Sequence, residues 1–136
     1  MKPYEVKNER KAEFPVDKIF LERWSPRSLS PDMSEKELMT LFEAARWTPS
    51  SSNGQPWRFL YAKHGTKDWE VFYDLLIEFN KIWCKNAAYL IALISRKNFE
   101  PDENGKEAPD SHHSFGAGSA FMSLALQARM KNLIAH

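Results

Sequence analysis

Only two stretches of this 136-residue chain read as β-strand, and two strands seldom form a sheet that stands by itself. Trp57, Phe59 and Tyr61 alternate with Arg58, Leu60 and Ala62, which gives a strand over Trp57–Lys63 with one aromatic face. Ala87–Ser95 is apolar on both faces, as a strand enclosed inside a sheet would be. Either helices dominate the fold, or the sheet is completed elsewhere. The working hypothesis is that residues 1–136 are the N-terminal part of one longer domain, C-terminally incomplete. An intact mass of 15.8 kDa together with a gene ending at His136 would contradict it.

The other elements are helical. Met1–Pro15 reads as an extended arm. Val16, Ile19, Phe20 and Arg23 sit at helical spacing behind Asp17, until Ser25-Pro26 breaks the helix. Ser34-Glu35-Lys36-Glu37 has the capping-box form, with Met33 and Leu38 in the staple positions, and predicts a helix over Glu35–Trp47 stopped by Thr48-Pro49. Trp69, Phe72, Tyr73, Leu76 and Phe79 predict a single helix over Lys67–Lys81. Arg96–Asp110 reads as a long loop, a lid or an insertion. A last helix starts near Asp110 or Ser111, carries Phe115, Gly118, Met122, Ala125 and Arg129 along one side, and extends its apolar face to Leu133-Ile134. Glycine costs an exposed helix ~1 kcal/mol, so Gly116 and Gly118 predict close approach by a neighbour.

Composition removes several function classes. Nineteen Lys and Arg against 18 Asp and Glu leave a formal charge of +1, which gives no global attraction to nucleic acid or anionic membrane. The longest apolar run, Ala87–Ile94, falls far short of the ~20 residues that cross a bilayer. A single cysteine, Cys84, excludes an internal disulfide and reads as a small buried hydrophobe. These features predict a soluble, cytoplasmic protein. Neither a Walker loop nor a dinucleotide fingerprint is present, and no His, Cys or carboxylate cluster has metal-ligand spacing.

Three places carry chemistry. Arg23-Trp24-Ser25-Pro26-Arg27 sets two guanidinium groups and a hydroxyl on a proline-pinned turn. That is either a phosphate-monoester grip or a solvated turn. Pro49-Ser50-Ser51-Ser52-Asn53-Gly54-Gln55-Pro56 offers neutral donors and acceptors between two prolines. It suits either a planar heterocycle or an ordinary surface loop, and Asn53-Gly54 suits a turn with positive φ. Asn80 and Asn86 flank the link between the aromatic helix and the apolar strand, as caps or as contacts to a ligand edge.

Taken in order, Arg23–Arg27, Glu43-Ala44-Ala45-Arg46-Trp47 and Thr48–Trp57 resemble the nitroreductase-like FMN-dependent oxidoreductases. The resemblance implies an α+β, three-layer fold whose mixed central sheet is flanked by helices and completed in a homodimer, with FMN at the subunit interface. By the same resemblance Arg23, Ser25 and Arg27 bind the FMN phosphate. Pro49, Ser50 and Ser51, with Asn53 close by, lie over the flavin of the partner subunit, and Asn80 contacts the pyrimidine edge. Some members place a lysine where this chain has Trp83. The implied activity is ping-pong hydride transfer from NADH or NADPH through the flavin to a nitroaromatic, quinone or similar small acceptor. No catalytic side chain and no metal are needed. The competing class is a non-catalytic flavin- or anion-binding dimerisation protein.

Overall fold

The computed structural model describes residues 9–136. Most of the expected N-terminal arm lies outside them. Five α-helices and two strands follow in the order α1 (Lys18–Glu22), α2 (Glu35–Arg46), β1 (Trp57–Lys63), α3 (Lys67–Asp74), α4 (Glu78–Cys84), β2 (Tyr89–Ser95) and α5 (His113–Met130). The strands pair antiparallel, with Trp57 opposite Ser95 and Lys63 opposite Tyr89. Helices α2 and α5 pack together, and α5 also lies against both strands. The core is the seam where Leu41, Ala45, Trp57, Ala117, Ala120, Leu124 and Ala128 meet. Alanines dominate α5's side of that seam, so the helix axis approaches its neighbours closely.

Local signals explain the well-formed elements. At α2, the Ser34 hydroxyl accepts the Glu37 N–H at 3.3 Å while the Glu37 carboxylate accepts the Ser34 N–H at 2.8 Å. The Ser34 hydroxyl also donates to the Glu37 carboxylate at 2.7 Å, and this bond first, with the Ser34 backbone bond second, holds the Glu37 carboxyl below the ordinary glutamate range. Asp17 caps α1 through the Ile19 N–H at 2.9 Å. That helix is shorter than the expected Val16–Arg23 because Arg23 is already extended on its way to Ser25-Pro26.

Four expectations are corrected. The helix expected over Lys67–Lys81 is two helices. Leu76 closes onto the Tyr73 carbonyl, Ile77 is extended at φ −64° and ψ 149°, and α4 starts there without a side-chain cap. The Tyr73 hydroxyl donates to the Lys81 carbonyl at 2.9 Å across the break, and Phe79 turns outward with 56% of its surface exposed. The second strand begins at Tyr89, and its faces are only half-buried: Ile91 and Ile94 are 37% and 46% exposed. An enclosed strand needs a neighbour on each side, and among the described residues β2 has only β1.

The third correction concerns α5. Of the expected side, Ala125 is buried and the Arg129 side chain only 13% exposed, but Phe115 is 77% exposed and Gly118 meets nothing within 4 Å; the buried residues are Gly116, Ala117, Ala120, Leu124, Ala125 and Ala128. Finally, the helix does not run on to Leu133. Asn132 adopts φ 57°, its N–H bonds to the Arg129 carbonyl at 3.0 Å, and the Leu133 N–H returns to the Ala128 carbonyl at 2.8 Å. This is a Schellman ending with asparagine in the left-handed position and Leu133 folded back on the core.

Candidate functional site

The Arg23–Arg27 turn is fixed from both sides. Glu22, just before it, pairs with Arg129 of α5 at 3.0 Å, and the two side chains are only 29% and 13% exposed. Pro26 is buried, and its carbonyl lies 3.3 Å from His136 Nδ1. Within the turn Arg23 Nη1 donates to Ser25 Oγ at 3.4 Å, so a cation and a hydroxyl point to one place. The Arg27 guanidinium rests 5.0 Å from the centre of the Phe79 ring, a cation–π contact with the first turn of α4. One residue further on is Asn80, half-buried and in neither cap position of α4. The arginine turn and Asn80 therefore belong to one neighbourhood. Asn86 is exposed beyond the end of α4.

Trp83 lies one helical turn after Asn80 on the same side of α4. Its ring centre is 4.1 Å from that of His136, and its Nε1–H is buried with no hydrogen-bond partner among the described residues. Leaving a buried donor unpaired costs about 1–3 kcal/mol. Sequence reasoning placed no donor here. Nothing local in the sequence signals that an indole N–H is left over. Burial raises the Cys84 thiol at the end of α4, which disfavours its thiolate.

The Pro49–Pro56 loop is built differently. Ser51–Asn53 form a short 3-10 turn in which Ser52 has φ 48° and Asn53 φ 54°; Gln55 follows at φ 43°. The expected positive φ is met at Asn53 but not at Gly54, which sits at φ −68°. Left-handed backbone costs a non-glycine residue roughly 1–2 kcal/mol, so three such residues need holding. Ser50 does much of that. Its carbonyl takes the Asn53 N–H at 3.1 Å and its hydroxyl the Gln55 N–H at 2.9 Å. Buried Thr48 donates its hydroxyl to Ser123 of α5 at 2.8 Å. A Cβ on Gly116 would come within 3.0 Å of the Pro56 ring, so the close approach predicted for α5 is real at Gly116. Pro49 is exposed, and Ser50 and Ser51 are half-buried.

The Arg96–Asp110 segment seals the other side of this loop. It is a pinned excursion, with Asn98 bridged to Pro109, and Asp110 is buried, its carboxylate accepting the His112 N–H at 2.9 Å. Phe99 and Glu100 reach back to the proline-bounded loop. Together they frame a cleft of about 440 Å³ lined by Arg46, Asn53, Gln55, Trp57, Arg58 and Phe99, among others.

The two predicted sets do not meet within one chain. The neutral loop sits against Gly116 near the start of α5, and the arginine turn is tied to Arg129 near its end. Thirteen residues of helix separate those points, about 20 Å at 1.5 Å per residue. Among the described residues no three His, Cys, Asp or Glu side chains gather to hold a metal, and no helix is long and apolar enough to cross a membrane.

Residues 21–82 match the family model described as Nitroreductase. Among solved structures the chain is similar to an oxidoreductase containing FMN, at 45% identity and a TM-score of 0.87, over 94% of this chain and 65% of that one. A protein from Desulfovibrio desulfuricans solved in complex with FMN aligns at 21% identity and a TM-score of 0.67, over 88% of this chain and 65% of its own. A nitroreductase family protein from Clostridium difficile 630 aligns at 16% identity and 0.63, over 87% and 64%. The last two speak for the fold alone. The chain thus spans just under two thirds of the length of these relatives. No curated protein matches it.

Proposed function

Starting from the nitroreductase-family, FMN-dependent oxidoreductase fold that this chain carries, we propose that it binds FMN in a homodimer and passes electrons from NADH or NADPH to a small conjugated acceptor, a nitroaromatic or a quinone. The reading rests on one observation above the others: Arg27 lies over Phe79, the residue before Asn80, so the arginine turn and the start of α4 are neighbours. Arg23 and Arg27 would hold the phosphate with Ser25 as the neutral donor. Two charge-assisted contacts are worth ~1.5–3 kcal/mol each.

The chain's residues suit such a ligand. Asn80 offers both a donor and an acceptor to an edge of alternating C=O and N–H groups. Pro49, Ser50, Ser51 and Asn53 stand about 20 Å along α5 from the arginine turn. They would cover the flavin bound by the other subunit, keeping bulk water off one face and orienting what stacks there. FMN, when bound, supplies the hydride chemistry; the protein's part is to bind, orient and exclude. Completion of the mixed sheet by further strands, and of the site by a second copy, belongs to the same proposal.

The test is direct. Purified protein incubated with FMN should take up flavin, melt at a higher temperature and lose its yellow colour on anaerobic addition of NADH or NADPH. Flavin uptake without bleaching would favour the non-catalytic binding class. A species that retains FMN while sedimenting as a monomer would contradict the shared site.

A further inference from the structure

We propose that Phe99 is a positioning residue: its ring, carried on the Arg96–Asp110 excursion, clamps the strained Ser52–Gln55 turn in the shape that lets the loop cover a flavin. The proposal rests on the reading that Pro49–Asn53 covers FMN, and goes beyond it by assigning a role to a segment far along the chain. The first observation is steric. A Cβ on Gly54 would lie 2.7 and 2.9 Å from two Phe99 ring carbons, so the ring occupies the space that any other residue at 54 would fill. Gly54 has ordinary right-handed backbone, so its φ gives no reason for glycine. Contact with Phe99 does.

The second observation is how the excursion is tied to the loop. The Arg96 N–H donates to the Pro56 carbonyl at 2.8 Å. Arg58 Nη1 donates to the Gln55 carbonyl at 3.0 Å and the Trp57 carbonyl at 2.8 Å, while its Nη2 pairs with Glu100 at 3.2 Å. Glu100 also pairs with Arg96. The base is closed by Phe99 N–H to the Ala108 carbonyl at 2.9 Å and Asp110 N–H to the Lys97 carbonyl at 2.8 Å. Three left-handed residues with two flanking prolines have several cheaper conformations. A ring pressed on Gly54 and a guanidinium on the Gln55 carbonyl select the observed one.

The experiment compares the wild type with Phe99→Ala, Phe99→Leu, Gly54→Ala and the double variant Gly54→Ala/Phe99→Ala. Hydrogen exchange of the Asn53, Gly54 and Gln55 amides is read without flavin. FMN affinity and the visible circular dichroism of the bound flavin are read with it. Phe99→Ala should speed exchange at these amides at least tenfold, weaken FMN about tenfold and change the flavin dichroism; Phe99→Leu should stay within about threefold of wild type. Gly54→Ala alone should weaken FMN, and removing the ring in the double variant should restore part of that loss. Unchanged exchange in Phe99→Ala overturns the clamp whatever the flavin does. Faster exchange with FMN affinity and dichroism unchanged overturns its role toward the flavin and leaves the family reading intact. A wild type that binds no FMN overturns the FMN-binding reading and, with it, the role of Phe99 toward the flavin.

Discussion

The two ends of α5 carry opposite kinds of construction. At its C-terminal end the Arg23–Arg27 turn is cationic, has ordinary backbone and keeps Ser25 and Arg27 open to solvent. At its N-terminal end the Pro49–Pro56 loop is neutral, holds three left-handed residues and is pressed between Gly116 and Phe99. Charge gives affinity and needs little precision, because a guanidinium reaches a phosphate through a flexible side chain. Shape gives selectivity and needs a backbone that does not move. The chain separates these two constructions by about 20 Å, and under the proposed function each end serves a different copy of FMN.

The largest effect should come from the charged end. Replacing Arg23 and Arg27 together by Ala should weaken FMN by 100-fold or more, from about 3–6 kcal/mol of lost charge-assisted bonding, while riboflavin binding changes much less. Equal losses for both ligands would erase the distinction between the two ends. The next effect belongs to the shaped end. Gly116→Val should cost about 1–3 kcal/mol of stability by overpacking against Pro56, read as a lower Tm and a lower urea midpoint. A variant that melts like wild type would mean the contact is slack.

Asn132→Ala should cost about 1 kcal/mol, because alanine is poorer than asparagine in the left-handed ending of α5, whereas Asn132→Gly should be close to neutral. The smallest effect is a pH dependence at α2, away from both ends. The Glu37 carboxyl is lowered by Ser34, so its stabilising contribution is complete above the unfolded carboxyl value and disappears as the pH falls through the lower folded value. The stability gap between wild type and Glu37→Gln should therefore close on acidification below about pH 4. A gap that persists at pH 2 would place the contribution elsewhere.

Features encoded within a few residues were legible in the sequence. The Ser34–Glu37 capping box, the β1 alternation and the proline-bounded loop all appear where the residues put them, because each depends on bonds between near neighbours. The break at Leu75–Ile77 was not legible: the 3-and-4 spacing continues to Phe79, and α4 opens on Ile77, which offers no capping side chain. The end of α5 was readable only as one asparagine, whose left-handed geometry depends on Leu133 having a core to fold onto. For β2 the composition described a strand enclosed on both sides, and the described residues give it one neighbour. The pairing of Gly54 with Phe99 joins residues 45 positions apart and leaves no periodic trace. The candidate site was legible as residue types; its division between the ends of α5 was not.

The claim that one flavin is held by one copy and covered by another is tested most directly by mixing two defective proteins. Arg23→Ala/Arg27→Ala chains keep the loop, and Ser50→Ala/Ser51→Ala/Asn53→Ala chains keep the arginines. Co-refolded in equal amounts, they should bind FMN to about a quarter of the sites at a concentration where neither variant alone binds any, because half of the dimers are mixed and each holds one intact site. If the mixture binds no more FMN than its components, the grip and the cover do not come from different copies.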